Sequence, residues 1–167
     1  ADKFLPETEA LLMVAARAEH IVKLIQPALS RDAIVICDRF VDSTYVYQGL
    51  AHQIDIASLE ALHDFACGGL TPDITFLLDV SVQQGLKRAK ARADSSADSE
   101  SRFEEKGSAF HAKVREGFLS LAKRFSDRFI IVDASGTPDE TTKFVSKAMR
   151  DYLQKTASAG SMSANAE

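Results

Sequence analysis

Asp38-Arg39-Phe40 brings an acid and a guanidinium out together at the end of an apolar run, Ala33-Ile34-Val35-Ile36-Cys37. In open α/β sheets the carboxyl ends of strands are where ligands bind. Arginine offers a planar, permanently charged fork that matches a phosphate. The ten residues that follow, Val41 to Leu50, carry Ser43, Thr44, Tyr45, Tyr47 and Gln48 in close order. Four hydroxyls or phenols and an amide beside an arginine suit a phosphate-bearing, hydrogen-bonding small molecule.

Other chemistries have little to stand on. Cys37 and Cys67 show no CxxC or metal spacing, and Cys37, inside the apolar run, reads as a small core residue rather than a nucleophile. His20, His52, His63 and His111 form no HxxxH pattern, so no metal site is expected from the sequence. A net charge of −4 over 167 residues argues against a nucleic-acid binder. No apolar run approaches the ~20 residues of a membrane span, and no signal peptide is recognised. With 46% hydrophobic and 26% charged residues the composition is that of an ordinary globular domain, and a reducing cytoplasm fits it.

The elements that must hold these residues follow from periodicity. Pro6 with Glu7 and Glu9 opens a helix, and Leu11 to Ile25 continue it at helical period until Pro27 ends or kinks it. Residues 33–37, apolar without alternation, predict a strand covered on both faces. Ile56 to Ala66 predicts a helix closed by Gly68-Gly69. Ile74 to Asp79 predicts a second buried strand, and Ser81 with Gln84 a capping box for a helix carrying Lys87, Arg88, Lys90 and Arg92. Residues 93–101 are small and polar and predict a mobile loop. A long helix from about Phe103 to Phe125, a strand over 128–133 and a helix capped by Thr137 and Glu140 with Pro138 at its first position complete the pattern. From Thr156 to Glu167 the composition predicts a disordered tail. Strands alternating with helices indicate a parallel α/β sheet, each strand ending in a carboxylate: Asp38, Asp79 and Asp133.

In this order the motifs resemble the thymidylate kinases. The similarity runs through Glu7-Thr8-Glu9-Ala10-Leu11-Leu12, Ala15-Ala16-Arg17, Asp38-Arg39-Phe40, Asp42-Ser43-Thr44 and Tyr47-Gln48-Gly49. It continues through Gly69-Leu70-Thr71-Pro72-Asp73, Leu77-Leu78-Asp79-Val80, Gly85-Leu86-Lys87-Arg88-Ala89 and Phe110-His111. It covers about residues 5 to 150. It implies a three-layer α/β/α parallel sheet of the P-loop kinase type. The implied activity is transfer of the γ-phosphoryl group of ATP to dTMP, giving dTDP, with Mg²⁺, by a homodimer.

The resemblance also implies roles. Arg17, by spacing alone either a surface arginine or a donor to a pyrimidine carbonyl, becomes the residue on the thymine ring. Four residues earlier, where the family commonly has a phenylalanine stacking on the base, stands Met13. Arg39 becomes the ligand of the dTMP phosphate. Asp38 would hold that arginine or a magnesium-bound water, its plainer role being a strand-end or cap carboxylate. Ser43, Thr44, Tyr47 and Gln48 would wall the deoxyribose and base. Tyr47 would crowd out a ribose hydroxyl, unless it is simply a half-buried core tyrosine. Arg88, Arg92 and Arg102, in a lid over about 88–103, would close on the transferring phosphates. Ser135 and Thr137, in the loop after the last strand, would contact adenine.

The family opens with a strand, a GxxxxGK[ST] loop and a helix, and this sequence contains no Gly-Lys pair. Residues 1–155 are therefore expected to be the C-terminal portion of one kinase domain, with no ATP turnover by themselves. The strands over 33–37 and 74–79 are expected not to pair directly. Two other functions compete: a deoxynucleoside kinase, whose members share the Asp-Arg-aromatic motif, and a non-catalytic nucleotide-binding or dimerisation module.

Overall fold

The structure, a computed structural model, describes residues 4–93 and 107–163, apart from the side chains of 92, 93 and 157–163. Its first helix, α1 (Pro6–His20), passes through a π-helical turn, Ile21–Ile25, into α2 (Gln26–Leu29). Pro27 explains the wide turn. It has no N–H for the carbonyl four residues back, and its ring crowds that carbonyl. The Gln26 N–H reaches back to Ile21 O, five residues away, and the helix survives the proline.

The strand predicted over 33–37 does not form. The segment has no ladder partner among the described residues, and it does not pair with the later strand over 75–79. A strand exists only through its neighbours. Without one, Ile34 and Ile36 are 63% and 92% exposed, and only Val35 packs inward. Cys37 is exposed with them, and Cys67 is the buried cysteine.

After Asp38-Arg39-Phe40 the chain turns into α3 (Val41–Thr44), which continues as a π-helical segment, Tyr45–Ala51. This helix is the most enclosed part of the molecule: Val41 and Val46 are fully buried. Ala10 of α1, Leu59 of α4 (Ile56–Cys67) and Val114, Leu121 and Ala122 of α6 (Gly107–Arg124) join its core. α4 begins as its sequence predicts, with the Asp55 carboxylate accepting from Ser58 N–H at 3.0 Å, and stops at Gly68 in the left-handed conformation. Gly117 lets α6 approach closely. A Cβ there would lie 3.0 Å from Val46 Cγ1 and 3.1 Å from Leu50 Cδ1.

Strands β1 (Thr75–Asp79) and β2 (Phe129–Asp133) pair in parallel, Thr75 opposite Phe129 and Asp79 opposite Asp133. α5 (Val82–Ala93) follows β1 and packs on α6, while α6 lies against both strands and α7 (Pro138–Ser163) against β2. The α7 capping box is complete: Glu140 N–H donates to Thr137 Oγ1 at 3.3 Å and Thr137 N–H to Glu140 Oε2 at 2.8 Å. α7 also corrects the tail. It runs past Thr156 to Ser163, and Ala157 and Ala159 are strong helix formers. Residues 164–167 lie outside the described residues.

Candidate functional site

Two helices meet at the site. On α1, Arg17 reaches over Phe40, its guanidinium carbon 5.4 Å from the ring centroid. Its Nη2 donates to the hydroxyl of buried Thr44 at 2.5 Å, whereas Nη1 is buried with no partner among the described residues. Burial holds this guanidinium below the usual arginine range, partly offset by nearby Cys67, Tyr45, Cys37 and Asp42. A buried donor with nothing to receive it is costly, on the order of 1–3 kcal/mol, until an acceptor arrives. Met13, one turn back on α1, is half exposed.

Arg39 stands at a φ of +62°, in the left-handed region that favours glycine. Its carbonyl accepts from Cys37 Sγ at 3.3 Å, and its guanidinium carbon is 5.6 Å from the Tyr47 ring centroid. Tyr47 is half-buried with its ring 6.3 Å from Phe110 and 6.1 Å from Phe118. Gln48, buried, donates from Nε2 to Glu9 Oε2 at 3.2 Å, tying the helix to α1. Ser43 is half-buried and Asp38 exposed. Arg17, Arg39, Thr44, Tyr47 and Gln48 thus share one stretch of wall, built from α1 and residues 39–48.

A second group gathers at the carboxyl ends of the strands. Asp79 takes a bidentate fork from Arg115, Nε at 2.6 Å and Nη2 at 2.8 Å, which holds its carboxyl below the ordinary aspartate value. Asp133 accepts from Ser135 N–H at 2.8 Å. Arg88 was expected over transferring phosphates. It donates here to the loop after β2: Nη1 to Ala134 O at 2.6 Å, and Nη2 to Ser135 O at 2.9 Å and Gly136 O at 2.7 Å. Gln84, one helical turn before Arg88 on α5, also donates from Nε2 to Ser135 O at 2.6 Å. Thr137 is occupied in capping α7. Arg92 lies at the end of α5 with its side chain not described, and Arg102 lies outside the described residues, as does most of the expected lid.

Three residues with clear parts in this architecture were not legible as such. Asp42 and Arg128, both nearly buried, form a bidentate pair at 2.6 and 2.9 Å, and Glu9 supports Gln48. An aspartate inside Val41 to Val46 signals a buried partner, but nothing local says that it lies 86 residues on.

The sequence model of the thymidylate kinase family matches residues 1–145. The chain belongs to the thymidylate kinase family. A thymidylate kinase of Nitratidesulfovibrio vulgaris is 44% identical over 158 residues, covering 93% of this chain and 74% of that protein. One from Geotalea daltonii is 47% identical over 146 residues, covering 86% and 68%. The crystal structure of thymidylate kinase from Ehrlichia chaffeensis superimposes with a TM-score of 0.68 at 30% identity, covering 89% of this chain and 69% of that one. The fold is thus α/β of the P-loop kinase type that this family shares.

Proposed function

We propose that this chain carries the acceptor side of a thymidylate kinase, which transfers the γ-phosphoryl group of ATP to dTMP. The observation that supports it most is Arg17: a buried guanidinium with one nitrogen on Thr44 and the other lacking an acceptor. A pyrimidine carbonyl fits that second nitrogen. Arg39, strained at the mouth of the same wall, would take the 5′-phosphate, with Met13, Ser43, Tyr47 and Gln48 around base and sugar. Such a site aligns the phosphate oxygen for in-line attack and needs no covalent chemistry from the protein.

On the donor side, we assign Ser135 and the neighbouring backbone to the adenine, with Arg88 and Gln84 fixing their loop. Arg92 and Arg102 are the cations available for the transferring phosphates. The Mg²⁺ that accompanies ATP would screen charge on the transferring phosphates, and a carboxylate would hold its waters. Asp38 fits that part, since Asp79 is engaged by Arg115 and Asp133 by Ser135 N–H. The lysine and hydroxyl of GxxxxGK[ST] do not occur among these 167 residues, so this chain alone is expected to bind dTMP without turning over ATP. Separate calorimetric titrations with dTMP and with ATP test the reading. The absence of dTMP binding would refute it.

The enzyme would work as a cytoplasmic homodimer. Leu12, Val22 and Leu24 on the first helix and Phe65 on α4, the last 89% exposed, offer an apolar surface for a second copy. Both cysteines are unpaired, as in a reducing compartment. Sedimentation at micromolar concentration should give twice the 18.2 kDa chain mass, and a monomer would contradict the dimer.

A further inference from the structure

The buried pair Asp42–Arg128 joins the site helix to the sheet. Arg128 stands just before β2, where its guanidinium lies 4.9 Å from the Phe125 ring centroid and 4.7 Å from that of Phe129. Two aromatic rings therefore border the guanidinium. Nη1 and Nη2 grip the two oxygens of Asp42, and Nη1 also donates to Thr75 Oγ1 at 2.9 Å, at the start of β1. The side chains of Arg128 and Asp42 are only 12% and 7% exposed. Asp42 belongs to the same four-residue turn as Thr44, whose hydroxyl receives Arg17. That turn is therefore held twice, by Asp42 toward the sheet and by Thr44 toward α1.

We propose that Asp42 and Arg128 are positioning residues for the nucleotide acceptor: they fix α3 on the sheet so that Thr44 and Arg39, at either end of the turn, stand in register with Arg17. The proposal rests on the acceptor-site reading above. Neither residue need touch the ligand. A planar fork against a carboxylate sets the distance and the rotation of the turn, which apolar packing of Val41 and Val46 alone would leave loose.

The test compares dTMP binding with folding in the full chain. Asp42→Asn should weaken dTMP binding at least tenfold at a temperature well below its unfolding midpoint. Because that variant leaves Arg128 buried without its countercharge and can unfold, the double variant Asp42→Leu/Arg128→Met is measured beside it. Replacing a buried ion pair by apolar groups of similar volume commonly preserves stability. We expect the double variant to melt near the wild type yet bind dTMP at least tenfold more weakly. That combination separates positioning from mere stabilisation. A folded double variant that binds dTMP like the wild type overturns the proposal and leaves the acceptor site standing. A wild type that does not bind dTMP overturns both.

Discussion

Arg39 holds a left-handed backbone conformation at the point where the chain enters its core helix. Such a residue costs on the order of 1 kcal/mol, and strain of this kind collects where a side chain must be aimed. His63 shows the opposite use of a polar residue. It is 2% exposed, its Nε2 donates to Leu70 O at 2.9 Å, and its ring meets Phe40 edge-on. Burial pushes its imidazole below the ordinary histidine value, against the raising effect of the Leu70 hydrogen bond. The unfolded chain therefore takes up this proton more readily than the folded one. Its contribution to stability is complete above about pH 6.5, the ordinary histidine value, and is lost as pH falls through the lowered folded value. Asp79, lowered by Arg115, adds a second loss that begins below about pH 4. Melting midpoints measured between pH 8 and pH 3 should fall in both windows, and His63→Gln should flatten the upper one. An unchanged upper limb in that variant would assign it to other groups.

At the scale of elements, the packing of α6 against residues 45–51 decides where the site wall stands. Gly117 is the contact point, and Val46, β-branched and fully buried, cannot turn away. Gly117→Val should cost roughly 1–3 kcal/mol through overpacking. At about 2–4 °C per kcal/mol for a chain of this size, calorimetry should register a clear fall in melting temperature. An unchanged midpoint would mean that the two helices separate without penalty. Elements governed by local chemistry were legible in the sequence: the cap at Thr137, the stop at Gly68, and strands 75–79 and 129–133. Those that depend on distant partners were not. Ile34 and Ile36 have the composition of a buried strand but no ladder here. Pro27 reads as a stop or a kink, and nothing local says that a π-turn carries the helix through it. Residues 41–51 advertise chemistry by their hydroxyls while their apolar half builds the core. Nothing local to Arg88 says that carbonyls 46–48 residues away receive its guanidinium.

For the whole molecule, the core and the site are one object. The helix that carries Thr44, Tyr47 and Gln48 is enclosed by α1, α4 and α6, and Arg128 pins it to the sheet. Binding energy at the wall can then be delivered without first ordering it. Arg17, Arg39 and Thr44 were singled out in the sequence because the family resemblance orders motifs that no local pattern connects. Asp42 and Arg128 were not, because their pairing exists only once the chain is folded. This wall is expected to accept a pyrimidine nucleoside monophosphate, with Arg39 on its phosphate. The most direct measurement is a calorimetric titration of the full chain and of Arg39→Ala with dTMP and with thymidine. A charge-assisted hydrogen bond contributes roughly 1.5–3 kcal/mol, about a 10- to 100-fold preference. The wild type should bind dTMP more tightly than thymidine by about that factor, and Arg39→Ala should lose most of the difference. Equal binding of dTMP and thymidine by the wild type, or a preference that survives in Arg39→Ala, would contradict the account.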